Sequence, residues 1–295
     1  MSFNATESSF EGFRLARRAP KALVAWSLAY VAFFVFFFGA AGGSLIQIIT
    51  LAEEIERASE PSMSDMWSLM QAYGLLMVWA LPLSLAFGAI LNTAIARSVI
   101  RPEDGRLGYL RLGKDELRVL VVTVALGLIF FVGGIVAFGL VGVVGGLAAG
   151  LNMPFLWLPA VLLGLAAAAG LIWLAVRLSL AVPITFAEKR IAIFDSFALT
   201  RGRLWPLLGM AIIAGVLSLL VALLGSVVAA PLNLMFGGVD ALAGGDPAAL
   251  GQLLAAAWPG LLIWVVVNSI LSAAQAAIIY APFASAYLGI KGAQA

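Results

Sequence analysis

Apolar and polar positions along this chain fall into long blocks. Charge-free runs cover 22–52, 66–96, 119–176, 204–239 and 247–290. A helical crossing of a bilayer takes about 20 apolar residues, so four runs hold one crossing each and the run at 119–176 holds two. "GLNMP" at 150–154 is the natural break within it, because Gly150, Asn152 and Pro154 are turn formers. The pattern predicts six helical spans, near 23–50, 67–96, 119–149, 155–182, 205–230 and 261–288. No run alternates with the period of two that a membrane barrel strand requires.

The polar blocks repeat. Ahead of spans 1, 3 and 5 stand Phe10-x-x-Phe13-x-Leu15-x-Arg17, Leu107-x-x-Leu110-x-Leu112-x-Lys114 and Phe194-x-x-Phe197-x-Leu199-x-Arg201. Spans 2, 4 and 6 each run into a proline, at Pro102, Pro183 and Pro282. The expected architecture is an all-α polytopic membrane bundle of three tandem helical hairpins, near 1–102, 103–183 and 184–295. Each hairpin is expected to start with a short amphipathic helix lying at the membrane interface. On a helical wheel Ile191, Ile193, Phe194, Phe197 and Ala198 fill one arc, with Asp195, Ser196 and Thr200 opposite. In the first copy Ser8 and Glu11 have capping-box spacing.

Composition fixes the class. The chain has 295 residues, 63% hydrophobic and 11% charged, whereas soluble domains carry roughly 25% charged residues. Too little polar surface exists for a water-exposed exterior, and residues 1–295 read as one integral membrane domain. There is no cysteine and no histidine, so thiolate nucleophiles, imidazole acid–base catalysis and Cys/His metal sites are excluded. No catalytic residue, metal or cofactor is assigned, and a non-enzymatic protein is expected.

Net charge is only +2, which gives no reason to expect nucleic acid, but its distribution is informative. Segments 1–21, 97–118, 177–203 and the tail hold 16 of the 17 Lys and Arg against eight acids. The opposite loops hold Arg57 against seven acids. By the positive-inside rule both termini are cytoplasmic. The first apolar run exceeds a signal-peptide core and reads as an uncleaved signal anchor. A bacterial inner (plasma) membrane is the expected location.

Candidate residues follow. Arg14, Arg17, Arg111, Lys114, Arg201 and Arg203 lie in or beside the leader segments, where each is worth about 1 kcal/mol against an anionic leaflet. They serve orientation and anchoring, or contact lipid headgroups or a protein partner. Arg177 stands ten uncharged residues from Glu188. It either snorkels to the headgroups, pairs with Asp195 or Glu188, or meets a headgroup phosphate. Asn268, Ser272 and Gln275 share one face of span 6, as interhelical hydrogen-bonding residues or as the lining of a polar path. Gly142, Gly146 and Gly150 form a small-residue stripe expected to pack helices within the chain. The outer loop 231–260 is long enough for a turn and a short helix before Pro259.

"RLSLAVPITFAEKRIAIFDSFALTRGRLWPLLG" (177–209) resembles the signature region of a group of bacterial six-helix inner-membrane proteins. That group includes the membrane domain preceding the catalytic domain in some glycerophosphoryl diester phosphodiesterases. The matching features are Arg177, the apolar run to Pro183, and Phe197-x-Leu199-Thr200-Arg201-Gly202-Arg203; "YLRLGKDELR" (109–118) and "FEGFRLARRAP" add to them. The resemblance implies a membrane domain that binds lipids or partner proteins. It does not carry the diesterase activity, which belongs to a separate histidine- and metal-dependent domain. The expected function is a membrane scaffold or accessory module binding anionic lipid or a partner. The alternative is a small transporter or lipid-translocating protein with its path along Asn268, Ser272 and Gln275 and Arg177 at the mouth.

Overall fold

Inside a bilayer every backbone N–H and C=O must find its partner within the protein, so apolar runs of this length become helices. The computed structural model describes residues 3–57, 62–235 and 247–292, and among them every regular element is helical. The α-helices are α1 (Ala5–Ser9), α2 (Glu11–Arg18), α3 (Pro20–Arg57), α4 (Met63–Ile100), α5 (Lys114–Gly150), α6 (Trp157–Leu178), α7 (Ala181–Glu188), α8 (Asp195–Leu199), α9 (Leu204–Met235) and α10 (Pro247–Gly292). Six stretches are long and apolar enough to cross a membrane: α3, α4, α5, α6 continuing into α7, α9 and α10. This is the architecture of a multi-pass membrane protein.

Several boundaries follow from local chemistry. α4 opens with a capping box, in which the Ser62 hydroxyl accepts from Asp65 N (3.2 Å) and Asp65 Oδ2 from Ser62 N (3.0 Å). At the predicted break after Gly150 the chain makes a Schellman turn. Met153 N reaches Ala148 O at 3.0 Å, Asn152 N reaches Ala149 O at 3.3 Å, and Asn152 is left-handed with φ 52°. α10 runs unbroken through Pro259, where a turn and separate short helix were expected, and on through Pro282. The rest of the expected outer loop, 236–246, lies outside the described residues.

α10 is the hub. A third of its most apolar window is buried (33%), against 6% for the fourth stretch, which puts α10 at the centre and α6 at the periphery. α10 packs on α9, α3, α4 and α2, while α5 rides on α4 and α6 on α5. Its inner face is made of alanines, Ala273, Ala276, Ala277, Ala281 and Ala284, and this allows close helix approach. α2 uses that allowance: a Cβ on Gly12 would lie 2.5 Å from Ile278 Cα.

Contacts gather the basic segments at one end of the bundle. Phe3 lies against Gly289, the Trp26 indole donates to Gly108 O (2.7 Å), and Lys291 Nζ reaches Glu188 Oε1 (2.9 Å). Both ends of the described chain, the 101–113 connection and the 179–203 segment therefore sit together.

The expectation of three equivalent leader helices is corrected here. The first copy is helical, but α2 buries Glu11, Gly12 and Leu15 against the bundle. Its capping residue is also not the expected one: α1 is capped by Asn4, whose Oδ1 accepts from Glu7 N at 3.2 Å, and no side chain caps α2. The second copy is not an α-helix. Leu107, Gly108 and Tyr109 all take positive φ (50°, 64° and 66°) because the Trp26 indole holds Gly108 O and the chain presses on α3. A Cβ on Gly108 would sit 2.4 Å from Ala25 Cβ, so only glycine fits. The third copy is one turn and a half, α8.

Span 4 also departs from the expected single helix. α6 stops at Leu178, and the chain bends through Ser179 and Leu180 into α7, which buries Ala181, Pro183, Ile184, Thr185 and Phe186. Pro183 falls in the first turn of α7, where a missing N–H costs nothing.

Candidate functional site

α8 explains why α6 can end where it does. The exposed ends of a broken membrane helix need partners, and the polar face of α8 supplies them. Ser196 Oγ donates to Arg177 O (2.6 Å) and accepts from Leu180 N (3.2 Å). Thr200 Oγ1 donates to its own helix at Ser196 O (2.7 Å). Ser196 and Thr200 are fully buried, whereas Ile191 and Phe194 point outward. Of the third leader's two arcs, Ser196 and Thr200 thus face protein and Ile191 and Phe194 face outward, while Asp195 is partly exposed and Phe197 packs on Trp173.

Arg177 lies against this seam. Its guanidinium carbon is 5.7 Å from the Trp173 ring centre and 5.3 Å from that of Phe197, within cation–π reach of both. Nη1 donates to Thr200 Oγ1 at 3.3 Å, and the buried Nε has no hydrogen-bond partner. It pairs with neither expected acid. Arg190 bridges Glu188 (2.8 Å) and Asp195 (2.5 Å), and Lys291 takes the other Glu188 oxygen. The bond to Glu188, then that to Asp195, raises the Arg190 guanidinium above its ordinary value. No carboxylate among the described residues lies within ion-pair distance of Arg177.

The other predicted headgroup residues divide into two sets. Arg14 is neutralised by Glu7 (3.3 Å) and Glu11 (2.9 Å), and Arg111 by Asp104 (3.3 Å). Arg17, Lys114 and Arg201 are exposed, with no acidic partner among the described residues. Arg203 Nη1 reaches Leu199 O at 3.4 Å. Arg177 bonds Thr200, the residue before Arg201, and Arg203 bonds Leu199 O, so all three belong to the α6–α8–α9 junction, while Arg17 and Lys114 belong to other elements.

Two predicted sets are not assembled as expected. Gly142, Gly146 and Gly150 are exposed, and nothing among the described residues lies within 4 Å of a Cβ at any of them, so they pack on no described helix. α5 instead meets its hairpin partner through Val141 and Gly145, neighbours of Gly164 and Trp157. The stripe is rotated off that contact by one residue, about 100°. Asn268 spends its amide on its own helix, donating to Trp264 O (3.0 Å). Asn268, Ser272 and Gln275 are half-buried, and none of them lines the cavity between α4, α5, α6, α7 and α10.

Two features went unpredicted. Arg97 and Glu116 form a buried ion pair (2.5 Å) joining the end of α4 to the start of α5. Arg97 also donates to Tyr109 O (2.5 Å) and stacks on Phe186 at 5.4 Å. The charge pattern concealed this pair, since acids in a first helical turn and basic residues at a last one are ordinary. The second feature is a cavity of about 340 Å³ between α4, α5, α6, α7 and α10. No protein-family model, curated protein or solved structure matches this chain.

Proposed function

We propose that the chain is a non-enzymatic integral membrane module whose basic end binds anionic lipid headgroups. It sits in a bacterial inner membrane with that end and both termini in the cytoplasm. The supporting charge asymmetry is a net excess of base at one end and of acid at the other. Kinship with the six-helix inner-membrane group belongs to the same reading and rests on residues 177–209. Three hairpins related by duplication belong to it too, carried by the matched spacing of the leaders more than by their present shapes.

One observation carries the headgroup assignment: Arg177 is a cation at the end of an apolar stretch, clamped between two aromatic rings, with no counter-charge among the described residues. Intramembrane charges are retained where something pairs them. A lipid phosphate, the strongest partner for a guanidinium fork, is the acceptor that the bilayer offers at this depth. Arg201 and Arg203 add positive charge beside it. A polar path along α10 has less support, because the Asn268 amide donates to Trp264 O of its own helix.

Native mass spectrometry of the protein, delipidated and re-exposed to equimolar phosphatidylglycerol and phosphatidylcholine, tests this reading. Phosphatidylglycerol should be retained preferentially, and Arg177→Gln should abolish the preference while Arg14→Gln leaves it. Equal retention of both lipids by the unaltered protein would end the assignment.

A further inference from the structure

The cavity beside α7 carries an inference independent of Arg177. Its volume, about 340 Å³, is within the roughly 300–1,000 Å³ of small-molecule sites. The walls are chiefly apolar, and the polar residues among them are Asn92, Thr123, Ser179 and Tyr280. No charged side chain lines it; Arg97, next to the lining residue Ala96, is committed to Glu116 and Tyr109 O.

Hydroxyls on membrane helices ordinarily bond back to a carbonyl one turn earlier. Thr93 does so with Ala89 O (2.7 Å), and Ser98 and Ser179 bond Ile95 O (2.7 Å) and Val176 O (2.8 Å). Thr123 does not: its Oγ1 is buried and has no partner. Neither the Asn92 amide nor the Tyr280 hydroxyl makes a side-chain hydrogen bond among the described residues. Two unspent polar side chains on two different helices, Asn92 and Tyr280, therefore line one apolar space, and the buried Thr123 hydroxyl lies behind its wall.

Depth and access define what could fill it. Asn92 lies eight residues from the end of α4 and Thr123 nine residues after the start of α5. At about 1.5 Å per residue both are roughly 12–14 Å inside those helix ends, at hydrocarbon depth. Val182 and Pro183 of α7 are among the lining residues, and Ala175 of α6 and Tyr280 of α10, also in the lining, are exposed. Both exposed residues belong to spans whose outer faces are apolar, so lipid can reach the lining. We propose that the cavity binds an uncharged amphiphile from the bilayer, one apolar tail bearing a hydroxyl or carbonyl head that meets Asn92 and Tyr280. An ion or a carboxylate is excluded by the absence of any charged partner in the lining.

The test uses the whole protein in lipid nanodiscs and a long-chain alcohol carrying a mid-chain diazirine, with the matching fatty carboxylate and an alkane diazirine as controls. After irradiation, adducts are mapped by peptide mass spectrometry. The alcohol should label 92–96, 123–130 and 280–284, and the carboxylate only outward positions near Leu165. Ala175→Trp, at an exposed lining position, should remove the interior adducts and leave the outer ones. Asn92→Leu should lower interior labelling by the alcohol about three- to tenfold, the weight of one hydrogen bond, without changing that by the alkane. Arg177→Gln should change none of this, which separates failure here from failure of the headgroup assignment. Adducts confined to the exterior for every probe mean a water-filled or closed cavity and overturn the proposal. Equal interior labelling by alcohol and carboxylate overturns the assignment of an uncharged head.

Discussion

Replacing Glu116 with Gln is the most demanding check on the packing described above. The Arg97 and Glu116 side chains are only 3% and 7% exposed, so the guanidinium would lose its counter-charge without gaining water. Removing one partner of a buried pair costs about 3–5 kcal/mol. The Tyr109 carbonyl and the Phe186 ring remain on Arg97, which sets the expected loss near the lower bound, about 3 kcal/mol. Removing both charges, as Arg97→Met with Glu116→Leu, should restore stability to within about 1 kcal/mol of the unaltered protein. Equilibrium unfolding in mixed micelles of rising SDS fraction measures these differences. Limited trypsin digestion gives a local readout, because the exposed Arg106 and Arg111 flank Tyr109 and should be cut faster once Arg97 loses its anchor. A Glu116→Gln protein within about 1 kcal/mol of the original, with unchanged cleavage, would refute the reasoning. A double variant as unstable as the single would do the same.

Three further outcomes follow from the packing. Gly12→Val should detach α1 and α2, since even a Cβ there collides with α10 backbone at 2.5 Å; faster proteolysis at Arg14 with the spans intact would show it. Ser196→Ala removes the partner of Leu180 N and leaves Arg177 O only the longer bond from Thr200 Oγ1 (3.4 Å), and should cost about 1–3 kcal/mol, read in the same micelle titration, whereas Ser226→Ala on the exposed face of α9 should cost little. Gly146→Leu, on the outward stripe, should leave monomer stability unchanged or slightly higher, because leucine is the better helix former. A large loss there would mean that the stripe does pack a helix.

The spans were legible because hydrocarbon imposes a demand on composition that no other part of the chain meets, and "GLNMP" marked its turn with residues that tolerate left-handed backbone. The α6 break was not legible. Ser179 and Leu180 carry no turn signal, and the helix stops there because Ser196, 17 residues beyond Ser179, takes over its polar groups. The second leader looked like the other two since its apolar spacing matches, yet its shape is set by Trp26, 82 residues before Gly108. A small-residue stripe gives a face but not the direction of that face, so Gly142, Gly146 and Gly150 could not be placed without knowing where α6 lies. The cavity was invisible because Asn92, Thr123 and Tyr280 belong to three helices, and each alone is an ordinary polar residue in a span.

The docking of the N-terminal helices on α10 has a consequence for biosynthesis. Phe3 meets Gly289, Ser8 meets Ser285 (3.5 Å), and Gly12 meets Ile278, so α1 and α2 rest on a helix synthesised long after them. At about 5–20 residues per second, α1 and α2 wait roughly fifteen seconds to a minute after synthesis before their seat exists. During that interval their buried-to-be face, Leu15 and Gly12 included, is open to membrane or chaperone. Seating of α1 and α2 thus reports that α10 has been inserted, and a ribosome stalled before α10 leaves their docking face exposed to quality-control proteases.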